Sequence, residues 1–501
     1  MKLKVLVLCL AGVLIGAAVS WGVFDAVPHL EDEHAYFFQA KLFANGQVTR
    51  ELPPSPPSFG LPFVVEYNGR QFSKYTPGFS LVLALGVLLR LPWIINPLLA
   101  GAGLFAVFLL ARELFDDKTA LLAAALGVIS PMYMLLAGSL LSHTLSLVLL
   151  TFFAWSFIRL HRAEPADRMR YAILCGLLMG FTIVTRPWTA FAVGVPFIVY
   201  ALVRFFRAPR LFFKPYLAAL LLALVLAGLV PLYNFITTGD PLLNTYTLIW
   251  KYDRVGFGPE FGPSGYDFEK LKINLKGDFS DLLSFNLSWP VISGISLSAI
   301  FILLGIILPE RKKMDACLLI PPAVLITAYT AYWASSGGIF GPRYYAEALP
   351  FLWILAARGV LKFAQYPVNK WIIRAALLIF IMWNIIMVTR PAFDNARDLY
   401  NINRDPVRLV EQAGVRHAIV FVTSDYWTDY ASLGWNNPAN LAKADIIYAR
   451  DIGLESNGKI MAAFPSRDIY HLDMDNPPNL TRETAYNLTT ACSIVWWSRV
   501  I

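Results

Sequence analysis

Charge is scarce in this chain. Asp, Glu, Lys and Arg make up 15% of its 501 residues, against 57% hydrophobic ones. Soluble globular domains carry ~25% charged residues, so the shortage excludes an ordinary soluble fold. With a mean hydropathy of +0.55 it points to a polytopic α-helical membrane protein. Cysteine is equally sparse: Cys9, Cys175, Cys317 and Cys492, with no CxxC and no metal-ligand spacing. That argues against a disulfide scaffold and a zinc site, and it leaves metal use open. There is no internal repeat, and few charges fall inside the apolar runs. Transporters tend to show both, so a solute transporter or lipid flippase becomes the alternative reading. The formal excess of +8 suits cytoplasmic loops facing anionic lipid, and nucleic acid is not an expected partner.

What is present is organised around residues 29–41. Glu31, Asp32 and Glu33 come shortly after the apolar run 5–24. That run is long enough to cross a bilayer, which takes ~20 apolar residues. Met1-Lys2-Leu3-Lys4 and Ala17-Ala18-Val19-Ser20 have the look of a secretory signal. The run is long for one and more spans follow, so an uncleaved first span is expected. Acids in a first helical turn complement the macrodipole, worth ~0.3–1 kcal/mol each. Capping accounts well for one acid and poorly for three, so a functional role is expected for at least one.

Basic residues then place the loops. Arg159 to Arg170, Arg204 to Lys214, residues 310–313 and Lys362 to Arg374 mark the cytoplasm. About eleven spans satisfy every short loop, with the N-terminus inside and the C-terminus outside. Loops 25–96, 237–288 and 335–346 then share the outer face with the Gly138 turn and the Arg186 tip. Residues 79–91 are apolar but short, and read as interfacial or re-entrant. The expected division is a transmembrane module, 1–389, and a soluble extracytoplasmic α/β domain, 390–501. In the latter, Asp405 to Gly414 reads as a capped helix, and runs beginning at His417, Ala444 and Asp468 read as strands. This tail has no Gly-rich phosphate loop and no nucleophile elbow.

Candidate binding residues lie on that outer face. Lys74, beside Tyr75, suits a phosphate as a point charge or an interfacial anchor. Arg186, between Thr185 and Pro187-Trp188, suits an anion or an aromatic-belt anchor. Arg343 and Tyr344, on a Gly-rich turn, suit a phosphate or a sugar. An Arg343–Glu347 pair at helical spacing is the simpler use of those two charges. His143 is a lone histidine at a turn, either a substrate contact or a hydrogen-bonded structural residue.

With these residues in place the chain resembles the C-type polytopic glycosyltransferases, most closely the branch of protein O-mannosyltransferases and lipid A aminoarabinose transferases. The resemblance runs through Asp32-Glu33, Tyr36 and Gly46, then Lys74-Tyr75-Thr76-Pro77-Gly78. It continues through Gly180 to Pro187 and Gly341-Pro342-Arg343-Tyr344. Ser142-His143 departs from it, standing where many relatives have an acid. The resemblance implies a polyprenyl-phosphate sugar donor and a lipid, glycan or protein acceptor. It also implies an extracytoplasmic active site in a bacterial cytoplasmic membrane. Under it Asp32 is the base, Glu33 orients it or binds the acceptor, and Lys74, Arg186 and Arg343 neutralise the donor phosphate. An assembly protein that binds through its tail is the third reading.

Overall fold

The computed structural model describes residues 1–286, 291–292, 295–307, 315, 317–334, 339–365, 370–397, 399–423, 426–474 and 478–483. Ser335-Ser336-Gly337-Gly338, the basic run Arg311-Lys312-Lys313 and Cys492 lie outside them. The chain divides into two compact units. One is Met1–Ala26 with Lys74–Arg397; the other is Val27–Ser73 with Asp398–Ile501. This differs from a cut at 389/390. The boundary falls at Arg397, and residues 27–73, expected as a loop of the membrane module, cluster with the C-terminal part.

The first unit is helical. Among the described residues six helices are long and apolar enough to cross a membrane: Lys2–Gly22, Pro92–Leu114, His143–Arg162, Pro165–Thr185, Pro187–Arg207 and Pro209–Thr238. A seventh is counted if Asp117–Val128 and Pro131–Gly138, bent by 63°, form one broken span. The expected eleven is therefore corrected. The break between those two helices falls at Ser130-Pro131, because proline cannot donate to the preceding turn. Gly78–Leu88 and Ile320–Tyr329 are helices of 11 and 10 residues, too short to span. Leu349–Phe363 has 15 residues and is buried by protein at nearly every position. A helix buried on all sides is as apolar as one that faces lipid, and hydropathy counts both alike.

Lipid exposure shows in the burial pattern. Only 6% of the most apolar window of Pro209–Thr238 is buried, and Leu220, Leu221, Leu224 and Val225 lie open. Small residues set the helix crossings. A Cβ on Gly176 would lie 2.5 Å from the Ala219 carbonyl oxygen, and one on Gly180 2.9 Å from the Ala223 Cα. Pro165–Thr185 therefore packs backbone to backbone on Pro209–Ala227.

Among the described residues the second unit is built on two sheets. Val64–Tyr67 and Arg70–Ser73 form a hairpin, with Arg50–Glu51 added to the Arg70 strand. Its turn is Asn68-Gly69, both at positive φ (48° and 75°), as a two-residue hairpin loop requires. The larger sheet has the order Ile446–Arg450, Ala418–Thr423, Asp468–Asp473, Asn479–Arg482. Its first three strands are parallel and the last is antiparallel. Helices Trp427–Gly434 and Leu454–Ala463 alternate with the strands, giving an α/β layer. Val420 and Val422 pack on one face with Tyr430, Leu433 and Leu472. Ile419 and Phe421 pack on the other with Ile447, Ile460 and Phe59. Successive side chains alternate across a strand, so a continuous apolar run means that both faces are covered. Phe59 comes from the early segment, which is why that segment belongs to this unit.

Candidate functional site

In the first unit two buried charge clusters share a set of tyrosines. The first centres on Lys74, which is 3% exposed. Its Nζ lies 3.1 Å from Asp253 Oδ2 and within 4.9–5.3 Å of the ring centroids of Tyr75, Tyr246 and Trp250. Tyr332 donates its hydroxyl to the other Asp253 oxygen at 2.7 Å. Burial, followed by the neighbouring Tyr344 and Asp253, holds the Tyr332 phenol well above its usual range, so it stays a donor. The Lys74 backbone is pinned as well, since Thr245 Oγ1 donates to its carbonyl at 2.6 Å.

The Lys74-Tyr75-Thr76-Pro77-Gly78 element is tied to the Arg186 hairpin tip by local fit. Thr76 Oγ1 donates to the Thr185 carbonyl at 3.0 Å. A Cβ on Gly78 would lie 2.7 Å from the Thr185 backbone nitrogen, so only glycine permits that approach. Arg186 sits between two helices, ending Pro165–Thr185 and preceding Pro187–Arg207. Its backbone is extended (φ −146°, ψ 82°), as the residue before proline tends to be. The guanidinium is therefore presented at a fixed corner.

The second cluster surrounds that guanidinium. Nε donates to Thr189 Oγ1 at 3.2 Å and lies 3.4 Å from Glu347 Oε1. Nη1 donates to His143 Nε2 at 3.0 Å, and Nη2 to the Tyr329 hydroxyl at 3.0 Å. Arginine cannot accept, so His143 Nε2 is the acceptor and the ring proton is on Nδ1. That nitrogen is buried without a hydrogen-bond partner among the described residues. Burial pushes the Glu347 carboxyl up, while Arg186 pulls it down. Tyr344 joins the two clusters. It stacks on Tyr329 at 5.1 Å and meets Tyr332 edge-on at 5.7 Å. The His143 ring lies 6.3 Å away, and the guanidinium carbons of Arg186 and Arg343 about 6 Å away. Beside it, Tyr345 donates its hydroxyl to Asp278 Oδ2 at 3.1 Å.

Lys74, Tyr75, His143, Arg186, Arg343, Tyr344 and Glu347 are thus linked through one network. Asp253, Tyr329, Tyr332, Tyr246 and Trp250 were not singled out from the sequence. The run Trp250-Lys251-Tyr252-Asp253 carries aromatic rings beside charges and is the one local signal that marks them. Glu347 faces Arg186 across the fold, a pairing that the local Arg343–Glu347 spacing does not reveal.

Asp32 and Glu33 belong to the second unit, in the first turn of helix Glu31–Ala44. Glu33 is buried, and its Oε2 accepts from the backbone nitrogens of His29 and Leu30 at 2.7 and 2.9 Å. It caps its own helix. Asp32 is half-buried. Among the described residues no group of three or more His, Cys, Asp or Glu is placed to hold a metal ion.

A profile of the dolichyl-phosphate-mannose-protein mannosyltransferase family matches residues 76–233. No curated protein matches the chain significantly. Among solved structures the chain is similar to ArnT from Cupriavidus metallidurans in the apo state. The identity is 15%, with 93% of this chain and 92% of that chain covered, at a TM-score of 0.56. ArnT bound to undecaprenyl phosphate matches at 14% identity and a TM-score of 0.56, with 92% of each chain covered. The chain therefore shares the fold of these ArnT structures over most of its length.

Proposed function

We propose that the protein is a membrane glycosyltransferase that moves a sugar from a polyprenyl-phosphate donor to an acceptor hydroxyl on the extracytoplasmic face. The observation that carries this reading is Lys74, a buried cation in an aromatic collar, on a fold shared with a protein solved with undecaprenyl phosphate. The profile match to the mannosyltransferase family supports the same chemistry over residues 76–233. A polyprenyl phosphate needs cations where charge develops, and stacked tyrosines suit the apolar faces of a sugar.

In the reaction Asp32 accepts the proton of the acceptor hydroxyl. That oxygen attacks the anomeric carbon, whose bond to the phosphate oxygen breaks. The electron pair leaves on the polyprenyl phosphate, where Lys74 and Arg343 offset the charge. Attack opposite the leaving group inverts the anomeric centre. Arg186, whose donors already serve Thr189, His143 and Tyr329 and whose charge faces Glu347, holds the site's shape. The membrane is a bacterial cytoplasmic membrane, with the second unit outside.

The test is transfer by the full chain purified in detergent. Radiolabelled polyprenyl-phosphate sugars are offered with membrane-lipid extract to wild type and Asp32→Asn. Transfer by wild type that is lost in Asp32→Asn is expected. Full activity in the variant removes Asp32 from the mechanism. No transfer and no binding of any donor overturns the enzyme reading in favour of a flippase or an assembly protein.

A further inference from the structure

Helix Glu31–Ala44 meets the C-terminal domain along one face. His34, Phe37 and Lys41 follow at helical spacing, so they line that face. The His34 ring lies edge-on to Trp427, 6.3 Å between centroids. Phe37 lies 6.2 Å from Trp435. Lys41 Nζ donates to two backbone carbonyls, Trp435 at 2.6 Å and Asn437 at 2.5 Å. Its ammonium also lies 5.1 Å from the Phe37 ring centroid.

The two carbonyls stand on a rigid support. Trp435 Nε1 donates to the Ser432 carbonyl at 2.9 Å. The Asn437 side chain pairs with the Tyr448 backbone, accepting from its nitrogen at 3.0 Å and donating to its oxygen at 2.8 Å. Tyr448 lies in the strand Ile446–Arg450, which pairs in parallel with Ala418–Thr423. The helix is tied on a second side by Gln39, which donates to the Val48 carbonyl and accepts from the Ser73 nitrogen, at 2.8 and 2.9 Å.

Lysine is a costly residue for such a place. Burial brings its pKa down to about 7, with nearby Arg50 adding to the effect. An apolar side chain there would avoid that cost but would leave the Trp435 and Asn437 carbonyls without this donor. It would also slide and rotate on its partner, whereas two directed hydrogen bonds fix the helix's rotation and register. A neutral amine keeps two N–H donors, so the bonds survive loss of the proton.

We propose that the edge of the C-terminal domain formed by Trp427, Trp435 and Asn437 is a positioning device for the helix that bears Asp32, with Lys41 as its latch. This rests on the reading of Asp32 as the base. It gives the C-terminal domain a task in the reaction: residues near the end of the chain hold a carboxylate near its beginning. Misplacement of a reacting group by ~1 Å costs on the order of 10²-fold in rate.

The experiment uses the full chain in detergent, as wild type and Lys41→Met. Sugar transfer and backbone amide exchange are both measured. The expected result is a kcat lower by about 10²-fold with the donor KM unchanged. Exchange is expected to accelerate in residues 31–44 and to stay unchanged in the strand Ala418–Thr423. Unchanged exchange in 31–44, or an effect on KM alone, overturns the proposal. Should Lys41→Met fail to fold, Trp427→Phe is read by the same two measurements. If wild type transfers no sugar, the enzyme reading fails and the latch is judged by exchange alone.

Discussion

Lys74 and Asp253 form a buried ion pair across 179 residues of sequence, with side-chain exposures of 3% and 1%. The pair closes the aromatic collar of Tyr75, Tyr246 and Trp250. Removing one partner strands the other charge in a low-dielectric site, at a cost of ~3–5 kcal/mol. Lys74→Met is therefore expected to lower thermal stability sharply. Lys74→Met combined with Asp253→Leu leaves no orphan charge and is expected to recover most of it. Neither variant should be stabilised by added polyprenyl phosphate, whereas wild type should be. A double variant still stabilised by the lipid phosphate would separate Lys74 from phosphate binding.

Arg186 donates to Thr189, His143 and Tyr329 from one planar fork and pairs with Glu347 by charge. A lysine keeps the charge, but as a point with rotatable donors it cannot reach all four. Arg186→Lys is expected to lower kcat/KM by ~10²-fold, the size of losing one preorganised donor or more. Steady-state transfer measures it. Activity within a few-fold of wild type would reduce Arg186 to a membrane-interface anchor.

The neighbouring acids Asp32 and Glu33 separate by substitution. A glutamine at 33 retains an oxygen for the His29 and Leu30 nitrogens, so Glu33→Gln should keep the cap and most transfer. Glu33→Ala removes the cap and is expected to cost about 1 kcal/mol. Asp32→Asn should remove a general base and lower kcat by ~10²–10⁴-fold. Equal losses in Asp32→Asn and Glu33→Gln would assign the chemistry to the pair rather than to Asp32.

Several of these features are legible in the sequence because their causes are local. Asn68-Gly69 marks a hairpin by its backbone preference, and the run at Ala418–Thr423 marks a strand covered on both faces. Lys74, Arg186 and Arg343 stand out as charges beside aromatic or Gly and Pro residues. Asp253 does not, because its partners Lys74 and Tyr332 are distant in sequence and nothing in its own spacing calls for them. The same holds for Phe59, whose contacts with Ile447 and Ile460 move an early loop into the C-terminal unit. The number of spans fails for another reason. Residues such as Trp353 and Leu355 are buried by protein, yet they are as apolar as the lipid-facing Leu220 and Leu224.

The edge of the C-terminal sheet carries a pH dependence whose sign follows from His471. Its ring lies between two carboxylates, with Nδ1 3.6 Å from Asp451 Oδ2 and Nε2 3.3 Å from Glu483 Oε2. Asp451, then Glu483, holds the imidazole pKa above its usual value, and Asp451 itself is brought down to about 2, first by His471. A histidine whose pKa rises on folding contributes stability below its unfolded value, ~6.5, and loses it as pH climbs through the folded value. The carboxylate's share of the same interaction persists on the acid side until pH falls toward 2. The strand Asp468–Asp473 and its antiparallel neighbour Asn479–Arg482 should therefore be better protected at pH 6 than at pH 8. Amide exchange of 468–473 measures this, with Ala418–Thr423 in the same molecule as reference for the intrinsic effect of pH. His471→Gln keeps hydrogen-bonding capacity but cannot charge, so the pH-dependent part should vanish while protection at pH 8 stays near wild type. A variant with the same pH dependence as wild type would show that another group governs this edge.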